Sequence, residues 1–244
     1  VTRVWEQIAE ACQQAARPLQ TVQLVAATKY VDTPMAVALA RVLAERAAAV
    51  GQGQVVMLGE NRPQVLRQRW EQWGDGPEVQ WHLIGPLQTN KIKWVAGRVA
   101  LIHSWDRFEL LDKLQDHAVR QGLVCRGLLE FRISDDQSKH GFAVDDISQL
   151  VDRRHQWPNL EWCGVMGMSS LAASSLVAEE QFESLQRIFL QIGPQLPVET
   201  RTVWRELSMG MSGDLTAAIR AGSTMVRIGS ALFSGLLPAD RPIE

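Results

Sequence analysis

A lysine, two loops rich in serine and glycine, and one arginine inside an apolar run have the most chemistry to offer in this chain. Lys29 closes the run Leu24-Val25-Ala26-Ala27-Thr28, the composition of a buried strand. Asp32, Thr33 and Pro34 follow and read as a helix start, so the lysine sits where a strand ends and a loop begins. An amine held against apolar walls is disfavoured as ammonium, and a neutral amine attacks aldehydes, the chemistry of Schiff-base lysines. A lysine here can equally close a strand and point to solvent, and this stretch alone does not separate the two readings.

The loops are Leu207-Ser208-Met209-Gly210-Met211-Ser212-Gly213-Asp214 and Met225-Val226-Arg227-Ile228-Gly229-Ser230. Glycines let backbone N–H groups approach an anion, serines add donors, and a helix beginning just beyond adds its dipole. Ordinary serine capping explains either loop alone; their pairing favours a phosphate site. Arg227 sits among Met, Val and Ile. If it is buried it needs an acceptor, because an unpaired buried charge costs several kcal/mol. A carboxylate partner and a ring nitrogen of a bound cofactor are both open.

Short apolar strands are expected at Leu24–Lys29, Val55–Leu58, Val79–Ile84, Val99–His103, within Leu123–Ile133, and at Leu160–Met166, Thr202–Leu207 and Thr224–Ile228. Helical patterns lie between them. Residues 3–17 read as an amphipathic helix stopped by Pro18, Pro34 opens a helix reaching Val50, and Ser104 or Asp106 is expected to cap the helix after strand four. Eight strands alternating with helices in 244 residues predict an α/β fold, a single (β/α)8 TIM barrel forming one domain over 1–244. An open doubly wound sheet is the competitor. In a barrel, Lys29, Asn61, the Gly85 turn, the 138–141 loop, Met166, Ser208 and Gly229 all fall at strand exits, the face that carries chemistry.

Other chemistries are weaker. Lys plus Arg number 25 against 27 Asp plus Glu, a formal charge of −2 that gives no footprint for nucleic acid or an anionic membrane. Cys12, Cys125 and Cys163 match no metal or redox spacing and predict free thiols in a reducing, cytoplasmic compartment. No apolar run reaches a membrane span, and the first residues read as a polar helix rather than a secretory signal. Gly51-Gln52-Gly53 follows a helix and lacks a third glycine, so it is no dinucleotide loop. The five histidines have no metal-ligand spacing, and the nine tryptophans are scattered as packing residues are.

The chain resembles the pyridoxal phosphate homeostasis proteins, whose barrel is similar to the N-terminal domain of alanine racemase. The resemblance rests on Leu24–Lys29, Gly59-Glu60-Asn61, Trp81-His82-Leu83-Ile84-Gly85 with Leu87-Gln88-Thr89-Asn90-Lys91, and Ser138-Lys139-His140-Gly141-Phe142. It continues through Gly164-Val165-Met166, Leu207–Asp214 and the stretch Ala218–Gly229. It implies that Lys29 forms an internal aldimine with pyridoxal 5'-phosphate. It places Ser208, Gly229 and Ser230 on the phosphate with the Met209 backbone N–H, and Arg227 on the pyridine nitrogen. Asn61, His82 and Met166 would line the pocket around the ring. Arg62 and Pro86 stand where the family has an aromatic and a histidine, so the rim differs; Ser230 replaces a common threonine and keeps its hydroxyl. The implied role is vitamin B6 homeostasis, a carrier or regulator of pyridoxal phosphate without turnover, serving pyridoxal-phosphate-dependent apo-enzymes; a monomer is expected because no long apolar surface helix stands out. An amino-acid racemase is the alternative. Alanine racemase takes its second base, a tyrosine, from an additional domain, which a chain ending at Glu244 is expected to lack. The only tyrosine is Tyr30, next to the lysine, so His82, Lys139 or a water would have to serve. A protein-interaction barrel with a vestigial pocket is the third reading.

Overall fold

A computed structural model describes residues 1–49, 55–134, 140–170 and 173–236. The strands are β1 (Gln23–Ala27), β2 (Val56–Glu60), β3 (Val79–Leu83), β4 (Leu101–Trp105), β5 (Cys125–Glu130), β6 (Leu160–Met166), β7 (Glu206–Ser208) and β8 (Met225–Ile228). Every neighbouring pair is parallel, and β1 pairs with both β2 and β8, so the sheet closes in sequence order. The expected eight-stranded barrel is what forms.

The helices that cover it are α1 (Thr2–Gln14), α2 (Thr33–Ala49), α3 (Pro63–Gln72), α4 (Ile92–Val95), α5 (Phe108–Gln121), α6 (Ile147–Arg153), α7 (Ser175–Ile192), α8 (Val198–Arg201) and α9 (Leu215–Arg220). α1 stops three residues short of the expected end because Ala16 takes φ 51°, a left-handed conformation that a helix cannot continue through. The expected caps of α5 are absent. Arg107 is its N-cap and no side chain bonds there; Ser104 Oγ instead donates to Gly85 O at 2.6 Å, and Asp106 pairs with Arg107 at 2.6 Å. Gly51 and Gly53 lie outside the described residues.

Two apolar layers follow from strand alternation. Leu24, Leu58, Leu83, Ile102, Leu129, Leu207, Val226 and Ile228 face outward onto Ile8, Leu39, Leu66, Leu110, Phe182 and Leu185 of the helices. Each such side chain contributes about 1.5–3 kcal/mol by leaving water. Val25, Leu101, Leu128, Cys163, Met166 and Met225 fill the interior. Because alternate residues share a face, the interior set also turns His82, His103, Glu130, Ser208 and Arg227 inward, all five buried. β6 breaks the alternation. The register slips between Gly127↔Trp162 and Leu128↔Gly164, and Gly164 adopts φ 151° where an added Cβ would collide with Glu206 O. This bulge turns Val165 outward and Met166 inward, where simple alternation from Cys163 would do the reverse.

Candidate functional site

The site lies at the C-terminal ends of the strands. Lys29 and Tyr30 form the two central residues of a turn closed by Val31 N–H donating to Thr28 O at 3.1 Å. Lys29 is half-buried, and its Nζ lies 4.9 Å from the centre of the Tyr30 ring. One edge of that ring packs on the turn after β8: a Cβ at Gly229 would come 2.7 Å from Tyr30 Cε2. Glycine is required there because lysine turn and glycine turn touch.

Arg227 is the floor. Its Nη1 donates to Ser208 Oγ at 2.7 Å and its Nη2 to Gly167 O at 3.2 Å. No carboxylate stands within ion-pair distance of it among the described residues. Of the two partners open from sequence, the carboxylate is therefore not the one found. Burial lowers its pKa to about 10, while Asp214 and Glu130 act against that, so it is a guanidinium at neutral pH.

Behind Ser208 runs a line of neutral imidazoles. His103 Nδ1 meets Ser208 Oγ at 2.9 Å, and His103 Nε2 meets His82 Nδ1 at 2.9 Å. Burial pushes His82 down to about 4, and burial, then His82, then Arg227 hold His103 well below its ordinary value. His82 borders a second cavity, of about 320 Å³, at the opposite ends of the strands with Gln80, Arg126 and Glu206. Its route to Arg227 thus runs through His103 and Ser208 rather than directly.

The remaining expected residues divide. Asn61 follows β2, with its Oδ1 buried and without a partner among the described residues. Met166 is an interior wall. Ser230 begins a short 3-10 turn, and its Oγ donates to Ser212 Oγ at 3.3 Å, joining the two loops read as a phosphate cradle. Asp214 shapes the first loop, accepting from Met211 N–H and Ser169 Oγ, each at 2.6 Å. Met209 does not fit its expected part: its N–H donates to Met225 O at 3.1 Å and its side chain packs in the outer core. The β7–β8 ladder has taken that donor. Lys139 lies outside the described residues.

Sequence reading missed His103 and Glu130, and had Ser212 only as one serine of its loop. Glu130 is the last residue of β5, 6% exposed, and its carboxyl is pushed up to about 7 by burial and then by Asp106, with Arg227 opposing. Asp106 itself is flanked by Arg107 and, at 3.8 Å, by His140. Inward-facing polar residues at neighbouring strand ends were the available signal. No group of three metal-ligand side chains occurs among the described residues, and no helix among them is long and apolar enough to cross a membrane.

A barrel whose mouth joins a loop lysine, an inward arginine and paired glycine–serine turns defines a class: the family model described as "Alanine racemase, N-terminal domain" matches residues 5–237. The chain is 32% identical over 233 residues to the pyridoxal phosphate homeostasis protein of Aquifex aeolicus, covering 96% of this chain and 95% of that one. It therefore belongs to the pyridoxal phosphate homeostasis protein family. Two solved structures of PipY from Synechococcus elongatus share the fold. The one without PLP has TM-score 0.74 at 27% identity, and the one with PLP bound has TM-score 0.71 at 25% identity, each over 93% of this chain and 99% of that one.

Proposed function

We propose that this protein binds pyridoxal 5'-phosphate at the C-terminal mouth of its barrel and serves the cell's supply of that cofactor. The observation that carries the reading is Arg227, a buried guanidinium held by Ser208 and Gly167 with no carboxylate at ion-pair distance among the described residues. The fit extends to the orphaned Asn61 Oδ1 and to the close approach at Gly229. Bound there, the cofactor would supply an aldehyde and an electron-drawing ring.

Lys29 Nζ is the amine for the aldehyde, and Met166 supplies an apolar wall. Gly229 and Ser230, with Ser212 beside them, take the anionic tail. Ser208 joins them when His103 carries its proton on Nδ1: the serine oxygen then accepts from both Arg227 and His103, and its own O–H is left for the phosphate. Arg227 faces the ring nitrogen. A cationic arginine gives that nitrogen no proton and so leaves a weak electron sink; a racemase can work with such a sink but needs a second base across the ring, so the holding role is preferred on the want of a second base. A carrier or regulator in the cytoplasm, delivering to apo-enzymes, is the role that follows.

The racemase reading is favoured by one observation, the inward Glu130 whose pKa of about 7 lets it carry or release a proton near neutrality. Incubation with L-amino acids in D2O separates the two, since a carrier leaves the α-hydrogen unexchanged. The primary test is the visible spectrum of the purified protein before and after borohydride, followed by peptide mapping. A band that borohydride bleaches, with the pyridoxyl label on Lys29 and none in Lys29→Ala, is expected. A label elsewhere, or no uptake at all, overturns the proposal.

A further inference from the structure

Gly59-Glu60-Asn61 contains a carboxylate that the cofactor pocket does not use. Glu60 ends β2 and points outward beneath α3, where it is fully buried against Arg69, itself 2% exposed. Arg69 Nε donates to Glu60 Oε1 at 3.0 Å, and Thr28 Oγ1 donates to the same oxygen at 2.7 Å. The far side of the guanidinium is aimed at backbone: Nη2 donates to Thr28 O at 2.9 Å and to Val31 O at 2.7 Å. Those two carbonyls bracket Lys29 and Tyr30. One planar cation therefore ties both ends of the lysine turn to β2 and α3.

This arrangement is poor as a stabiliser. Glu60 Oε2 and Arg69 Nη1 are buried with no partner among the described residues, each a cost to the fold, and buried ion pairs are often no better than apolar replacements. As a fixture it is effective, because the flat guanidinium fork sets the spacing of two carbonyls in a way that a lysine ammonium does not. We propose that Arg69, held by Glu60, is a positioning residue for Lys29, fixing the turn so that Nζ meets an aldehyde entering the barrel mouth. In the reaction so served, the amine nitrogen replaces the carbonyl oxygen as a C=N bond, and the oxygen leaves as water with no change of oxidation state. Misplacing a reacting group by about 1 Å costs on the order of 100-fold in rate.

The inference rests on the cofactor reading above, and two probes keep them distinguishable. Pyridoxal 5'-phosphate reports capture by Lys29. Pyridoxine 5'-phosphate has the same ring and phosphate but no aldehyde, so it reports the pocket without the lysine. If the wild-type protein takes up neither, it is the cofactor reading that fails. With a competent wild type, Arg69→Lys is expected to capture the aldehyde about 10- to 100-fold more slowly while binding pyridoxine 5'-phosphate within about twofold of wild type. The double variant Glu60→Gln with Arg69→Gln, which leaves no lone buried charge, is expected to do the same and serves if the single variant does not fold. Amide hydrogen exchange at Lys29–Val31 in the cofactor-free protein should quicken in both. Wild-type capture rates, or equal losses for the two probes, would overturn the proposal, the second because it marks general damage to the barrel.

Discussion

Replacing Glu130 by glutamine should make the cofactor-free barrel more stable, and only above about pH 5. The carboxyl is 6% exposed at the inner end of β5, with Asp106 raising and Arg227 lowering its pKa, and it titrates near 7 in the fold against 4.5 in the open chain. A carboxylate raised in this way costs nothing while both states hold the proton. Its contribution to stability is fully present below pH 4.5 and is lost as the pH rises through 7. At 1.36 kcal/mol per pH unit the interval is worth about 3 kcal/mol, of which about 2.5 kcal/mol falls between pH 5 and pH 8. Glutamine keeps the shape and removes the charge. Urea unfolding of both proteins without cofactor, at pH 5 and pH 8, should show the variant gaining about 2.5 kcal/mol on wild type between the two conditions. Groups shared by both proteins cancel in that difference. A gap that stays constant, or that widens toward acid, would refute the assignment of Glu130 as the group that carries a proton at the site.

His82 should act from the other side of neutrality. Its pKa falls from 6.5 to about 4 in the fold, so its contribution is present above pH 6.5 and lost as the pH drops; His82→Asn should remove about 2 kcal/mol of the stability decline between pH 7 and pH 5, read by the same urea curves. Ser212→Ala and Ser230→Ala should each weaken pyridoxine 5'-phosphate binding about fivefold, the worth of one hydrogen bond of about 1 kcal/mol, measured by equilibrium dialysis. Unchanged affinity in both would move the phosphate away from the paired turns.

These two titrations bear on one another because both groups sit on the same interior surface, reached from the same period-2 register. That register explains what sequence could and could not show. The eight strands were legible from short apolar runs, and Leu160–Met166 coincides with β6 to the residue. β4 begins two residues later than expected, at Leu101, and runs on through Ser104 and Trp105, since an inward polar residue interrupts an apolar run without ending a strand. The same interruption hid His103 and Glu130: each reads as the polar edge of a strand until the alternation is anchored by a neighbour whose direction is known. Arg227 supplies that anchor in β8, with Val226 and Ile228 facing outward on either side.

Two features had no signature of that kind. Met166 faces inward only because the bulge at Gly164 inverts the end of β6, and a glycine in a strand marks many things besides a bulge. Arg69 lies 41 residues from the carbonyl of Thr28 it holds, on a helix whose polar residues otherwise read as a solvated face. What distinguishes it is that β2 delivers Glu60 beneath α3 while β1 delivers Thr28 beside it, a coincidence of three elements that only closure of the barrel creates. The lysine was legible because its chemistry is local, whereas the device that aims it is assembled from three parts of the chain. Substitutions that dull Lys29 without touching the pocket are therefore to be sought on the outer face of β2 and the inner face of α3, and not among the residues around the ring.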